Sequence, residues 1–179
     1  NQTIKAAYFE NGKVKSATIE QPFFITKSTG KKIELAHQPH ENYGIGGSFT
    51  LVDGMKGNPS KFGRDWLGFW GKDMNATIDL GKTETISKIS INTLLSEGSW
   101  IYHPKEIQFL VSNDGVNFQS IQIISQKEIE LKKGKVVVEF PKTKAKFIKI
   151  VAKNNGIIVD GKPGAGSNSW LFVDEISVE

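Results

Sequence analysis

The chain has no cysteine among its 179 residues. That excludes a disulfide framework and a thiolate metal centre, and leaves the compartment open, because a domain of this length needs no covalent staples. No run of about 18 apolar residues occurs, so no segment suits a membrane-spanning helix. A chain that opens on Asn1 is expected to be processed or part of a longer protein, so the want of a signal peptide in this sequence is uninformative. Charge of one sign is also scarce: 23 Lys+Arg against 19 Asp+Glu leave a formal net charge of +4. The lysines cluster at Lys132, Lys133 and Lys135, and again at Lys142, Lys144, Lys146 and Lys149. The second group alternates with small or apolar residues, as on the wet face of edge strands, and a nucleic-acid partner would want a more strongly basic domain. The three histidines, His37, His40 and His103, are scattered, and Pro39 breaks the one close pair as a helical metal motif. No glycine-rich loop leads from a strand into a helix, since "GKPGAGSNS" runs into a strand instead.

What is present is alternation with period two. Met74, Ala76, Ile78 and Leu80 alternate with Asn75, Thr77 and Asp79, the pattern of a half-buried strand. Further strands are expected at 86–95, 107–112, 118–124, 127–131, 136–140, 147–152 and 171–178, with turns at Asp114-Gly115 and at 132–135. Many short strands without a convincing helix period predict an all-β antiparallel sandwich. Residues 3–24 predict a hairpin about Asn11-Gly12, a pair that tolerates the positive φ angles of a type I′ turn. Such a hairpin is marginal alone in water, so it packs on the main body or belongs to a neighbouring domain. The glycine-rich segment 154–169 is long enough to be functional or disordered.

The chain centres on residues 49–81, where Asp53-Gly54 opens a polar turn and Phe62, Trp66, Phe69 and Trp70 follow between glycines. Aromatic rings on loops suit the apolar face of a sugar, with polar neighbours to fix its hydroxyls. Trp100 and Tyr102, flanked by Gly98-Ser99 and Pro104, are the best candidates for exposure, with Trp70 next. Trp66 and Trp170 lead directly into strands and are expected to be core or loop-clamp residues.

Taken together, "LVDG", "ATIDLG", "ISKISI", "HPKEIQFLVSNDGVNF", "AKFIKIVA" and the terminal "DEISV" resemble the coagulation factor V/VIII C-type, or discoidin-like, domain and its bacterial version, carbohydrate-binding module family 32. "GSWIYHPKEIQF" and "GKPGAGSNSWLFVDEISVE" resemble the module appended to bacterial family 20 β-N-acetylhexosaminidases, or chitobiases. The opening "TIKAAYFENGKVKSATIEQPF" is similar to the last strands of the small β domain that follows their catalytic barrel. The resemblance implies a galactose-binding-domain-like jelly roll over 48–179. Residues 26–47 would be a linker and first strand, and 1–25 the terminal strands of a preceding domain. It further implies a secreted, periplasmic or surface protein, expected to be monomeric, whose partners are a glycan and its own catalytic domain; a membrane partner is not expected. The carbohydrate-binding set is then Trp100, Tyr102, Trp70, Phe69, His103 and Arg64.

The resemblance also implies a structural calcium ion held by Asp53 and Glu175, with Asn58 or Ser60 between them. The alternative for Asp53 is that it caps its own turn. Catalysis is not expected. Asp174 and Glu175 are adjacent in a strand, where successive side chains point to opposite faces and cannot flank one glycosidic bond. Asp174 is therefore expected to point outward. A second reading makes the module structural, docking on the catalytic domain without binding sugar.

Overall fold

A computed structural model describes residues 2–179. Its first strands are β1 (Gln2–Ala6), β2 (Phe9–Glu10), β3 (Lys13–Val14) and β4 (Ile19–Phe23). β2 and β3 form a hairpin whose turn residues Asn11 and Gly12 have φ of 50° and 72°, the handedness the sequence predicts. β1 pairs with β4 beside it. Neither of these two-stranded sheets joins the main sheet. Ile4, Tyr8, Phe9, Val14 and Ile19 are all exposed on or beside them.

The body is built from β5 (Lys32–Leu35), β6 (Leu67–Trp70), β7 (Met74–Thr93), β8 (Glu106–Ser112), β9 (Gln119–Ser125), β10 (Lys135–Lys153) and β11 (Trp170–Val178). Every pairing between these strands is antiparallel. The expected strands at 74–80 and 86–95 are one long strand, β7, and those at 136–140 and 147–152 are one long strand, β10. These two strands run through both layers of a sandwich. The first half of β7 pairs with β5 and with the second half of β10, which continues to β8 and β9. The second half of β7 pairs with the first half of β10 and with β11, which continues to β6.

Register breaks between Glu139 and Thr143 and between Ala145 and Phe147 let β10 pass from one layer to the other. The buried residues change phase there, from Val136 and Val138 to Ala145 and then to Ile148, Ile150 and Ala152, so the core face is kept. The core between the layers is aliphatic, with Ile78, Ile89, Ile91, Ile107, Ile148 and Ile150 wholly buried. Burying each such side chain contributes roughly 1.5–3 kcal/mol.

One expected strand is wrong. Residues Gln126–Leu131 form a helix, α2, which follows the earlier short helix α1 (Phe62–Asp65). Ser125 and Glu128 make a reciprocal capping box at its start, and Ile129 is its one buried residue. The cap satisfies two of the free N–H groups at the helix N-terminus, which outweighs the β-branched appearance of "KEIEL".

Candidate functional site

Beyond one end of the sandwich the chain gathers all four of its tryptophans. Trp66, Leu94, Ile101 and Phe172 form a second buried cluster, with Tyr43, Phe62 and Trp170 packed against it. Trp66 is buried, as its lead into a strand predicts. Trp170 sits edge-on to His40 and Tyr43, at 5.1 and 5.0 Å between ring centroids, and 4.7 Å from Trp70. Trp70 in turn stacks on Trp100, at 6.3 Å and 29° between planes. Trp100 is the outermost ring and remains 40% exposed.

Two loops hold this ledge. The segment 94–103 is pinned by reciprocal contacts of Ser96 with Ile101 and by Trp170 N donating to Trp100 O at 2.9 Å. Trp100 itself has a φ of 61°. The long loop 154–169 is ordered by its roots. Asn154, which is buried, donates to the carbonyls of Phe69 and Ser169, and its Oδ1 accepts from Gly156 N and Ser169 Oγ. Gly164 lies so close to Trp100 that a Cβ there would sit 2.7 Å from the indole. Tyr102 Oη donates to Pro163 O at 2.8 Å, and Lys162 pairs with Glu97 at 2.9 Å. The two loops therefore clamp one another and fix the outer tryptophan between them.

Of the residues expected to touch a sugar, the structure brings Trp70 and Trp100 together at the surface. Phe69 is buried within β6 in the main core rather than on a loop. Tyr102 is only 6% exposed, which corrects its expected exposure: its hydroxyl is used to brace the long loop. Burial raises the Tyr102 pKa. His103 is buried too, with Nδ1 bonded to Thr93 Oγ1 at 2.8 Å, and burial lowers its pKa. Arg64 is exposed and paired with Asp65, and it lines a different hollow, beside Asp53. Asn168, close in sequence to Trp170, and His40, which the aromatic pattern did not single out, are polar groups of the ledge. Asn168 packs against Gly71, directly after Trp70.

A separate acidic centre lies where the turn 53–57 meets β11. Asp53 Oδ1 accepts from Met55 N at 2.7 Å, the self-capping alternative noted for this residue. Gly54 N donates to Glu175 Oε2 at 3.1 Å and Gly57 N to Asp174 Oδ2 at 2.7 Å. Asp174 and Glu175 thus reach the same turn, and Asp174 is buried rather than outward. Both faces of β11 are covered, Phe172 and Asp174 on one and Leu171 and Val173 on the other; the register then breaks between Asp174 and Ser177, where Glu175 takes a φ of 29°.

Asp174 Oδ1 and Glu175 Oε1 are buried and find no hydrogen-bond donor. Burial pushes Asp174 up to about 7, and burial with the neighbouring Asp53 pushes Glu175 up to about 9. Burial also raises Asp53, although the hydrogen bond from Met55 N works against this. Among the described residues no set of three His, Cys, Asp or Glu side chains is arranged to hold a metal ion. A hard cation at this turn would rest on two carboxylates supplemented by carbonyl oxygens, a donor set that fits calcium chemistry. The two orphaned oxygens fit that use. Asn58 and Ser60 do not point to it: both are exposed, and Asn58 Oδ1 accepts from Ser60 N to cap a short helical turn.

The fold and sequence have relatives. The structure resembles a fucose-binding module of Streptococcus pneumoniae (TM-score 0.60, 13% identity, covering 96% of this chain and 98% of that one). It is also similar to chitosan-binding module 1 of a chitosanase/glucanase from Paenibacillus sp. IK-5 (TM-score 0.56, 14% identity, 87% and 98% covered). A third likeness is the Clostridium perfringens module CpGH89CBM32-5 in complex with GalNAc-β-1,3-galactose (TM-score 0.54, 20% identity, 82% and 93% covered). At these identities the likenesses establish the β-sandwich fold. No curated protein sequence matches the chain. The F5/8 type C domain pattern matches residues 35–174, and the chain belongs to that family.

Proposed function

We propose that the chain is a non-catalytic carbohydrate-binding module that captures terminal sugar units on the Trp70–Trp100 ledge. The observation that carries this reading is the stacked pair itself, with Trp100 40% exposed and held from behind by Gly164. A ring fixed by two interlocked loops is ordered before a ligand arrives, so little entropy is lost on contact. The apolar C–H face of a pyranose rests on the indoles while Asn168 and His40 offer polar partners at either side. Phe69 and Tyr102 support the ledge from within. The structural neighbours that bind fucose, chitosan or GalNAc-β-1,3-galactose lend weight to a glycan ligand.

In this reading the ligand is terminal N-acetylhexosamine or galactose. The parent is a secreted, periplasmic or surface glycosidase of the β-N-acetylhexosaminidase type, and the module raises the local concentration of its substrate. A calcium ion at Asp53 and Glu175, with Asp174 beside them, would neutralise the buried carboxylates and fix the turn 53–57.

Glycan-array screening followed by calorimetric titration tests the proposal. Trp100→Ala and Trp70→Ala each weaken sugar binding at least about tenfold, the usual effect of truncating an aromatic anchor, while the fold persists. Unchanged isotherms in both variants would sink it.

One observation also favours an interdomain role for the first 25 residues. Ile4, Tyr8, Phe9, Val14 and Ile19 are exposed on or beside two-stranded sheets that pair with no other described strand. We read them as the edge of a preceding β domain that covers this apolar face. Deleting residues 1–23 then leaves the melting temperature of the sandwich unchanged; a large fall would place the hairpins in the module instead.

A further inference from the structure

A second concavity, of 470 Å³, opens between the turn 56–59, the end of β7 and the turn that follows α2. Its volume lies within the range of small-molecule sites, about 300–1,000 Å³. Trp66, Leu94, Leu95 and Pro59 supply an apolar lining. Within it His103 is only 3% exposed, and its recorded hydrogen bond, Nδ1 with Thr93 Oγ1, leaves Nε2 without a protein partner. His103 also lines a neighbouring hollow of 560 Å³ together with Leu95 and Glu130, so the imidazole stands between two open spaces. The position is built: Gly134, at a φ of 74°, packs where a Cβ would come 2.7 Å from His103 Cε1 and 2.0 Å from Thr93 O. No other residue type fits there, and the turn is thereby held against the imidazole.

The charges around this cavity are one-sided. Lys56, Lys133 and Lys135 line it against the single anion Glu130. Lys56 Nζ lies 4.5 Å above the ring of Phe24, which is outside the cavity lining, so the cationic rim rests on Lys133 and Lys135. Neither Lys133 nor Lys135 is in an ion pair among the described residues. An apolar floor, one buried imidazole with a free nitrogen, an amide at Asn92 and a net cationic rim select for an anion with an apolar body.

We propose that this cavity is a second ligand site, distinct from the Trp70–Trp100 ledge, that takes a small carboxylate bearing an apolar ring. The ring sits against Trp66, Leu94 and Leu95. The carboxylate faces the lysines and accepts from His103 or Asn92. The inference stands apart from the sugar-binding reading, since the two sites share no aromatic ring.

Titration of the full chain with phenylacetate, followed by amide NMR, tests it, with phenylacetamide and acetate as controls. Phenylacetate is expected to shift the Thr93, Leu95, His103 and Gly134 amides saturably. Phenylacetamide, lacking the charge, and acetate, lacking the ring, bind at least about fivefold more weakly. The exposed double variant Lys133→Glu/Lys135→Glu keeps the wild-type melting temperature and loses about tenfold in phenylacetate affinity. Trp100→Ala leaves that affinity unchanged. The proposal is overturned by an absence of saturable shifts up to about 10 mM, by equal shifts with the amide, by full affinity in the double variant, or by shifts confined to Trp70 and Trp100.

Discussion

Two turns in this molecule are built around carboxylates, and they solve the same problem in opposite ways. In the turn after β8, Asp114 accepts from Ser112 Oγ, Val116 N, Asn117 N and Asn117 Nδ2, each at 2.8 Å, and lies in solvent. Those donors, the Asn117 amide foremost, hold its carboxyl far below the usual carboxylate range. In the turn 53–57, the opposing carboxylates of Asp174 and Glu175 are buried, and one oxygen of each has no donor. The first turn is complete with the residues it contains. The second is left with two unpaired buried oxygens, a cost that protonation or a bound cation would relieve.

The largest way to sharpen this contrast is to supply the cation. At calcium concentrations near a hundred times the dissociation constant, binding to the folded state alone adds about 2.7 kcal/mol. For a chain of this size that is a rise in melting temperature of about 5–10 °C, reversed by a chelator. Glu175→Gln abolishes the rise. A melting temperature indifferent to calcium in the wild type would break the contrast and leave the second turn as a purely protonated pair.

The next effect is in pH, measured with chelator present. Asp174 and Glu175 carry pKa values raised from 3.8 and 4.5 to about 7 and about 9. Groups raised in the native state bind their protons more tightly there than in the unfolded chain. Their stabilising contribution is therefore whole below the unfolded values and is lost as pH climbs through 7 and 9. The melting temperature of the metal-free protein is expected to fall from pH 5 to pH 9, and calcium to flatten the fall. In Glu175→Gln the decline is shallower, and at pH 9 without metal the variant melts roughly 3–5 °C above the wild type. A metal-free profile that rises over this interval would contradict the burial of these two groups.

Much of the contrast was unreadable in the chain alone, for a physical reason. Alternation along β7 and β10 gives the sandwich, because a strand with one buried face must repeat with period two. The Asn11-Gly12 turn follows from the same local chemistry. What breaks the pattern is a bulge, and the bulge at Glu175 depends on the turn it packs against, not on its own neighbours. Asp174 reads as outward and proves buried because the distant turn 53–57 covers that face of the strand. The helix at Gln126–Leu131 was legible in principle: Ser125 and Glu128 stand at the capping-box spacing, a local signal stronger than a short apolar run. The ledge was half legible. Aromatics beside glycines mark Trp70 and Trp100. The order of depth among Phe69, Trp70, Trp100 and Tyr102 depends instead on how the loops 94–103 and 154–169 lock together, a long-range pairing that spacing does not encode.

The smallest effect tests the other half of the comparison. Asp114→Asn removes the charge that four donors surround in the completed turn, while leaving an oxygen to accept from some of them. Asp114 is exposed, so the loss is small, and it is the same with calcium or with chelator, because nothing at this turn waits for a cation. Its pH dependence also runs the other way. A carboxyl whose native pKa is depressed contributes stability above its ordinary value of 3.8 and loses it as pH falls below that. Wild type and Asp114→Asn should therefore converge in melting temperature on acidification below about pH 4, whereas wild type and Glu175→Gln diverge on the alkaline side. Were the Asp114→Asn difference to keep growing above about pH 5, or to vanish when calcium is added, the two turns would be variants of one device and the distinction between a finished and an unfinished carboxylate turn would fail.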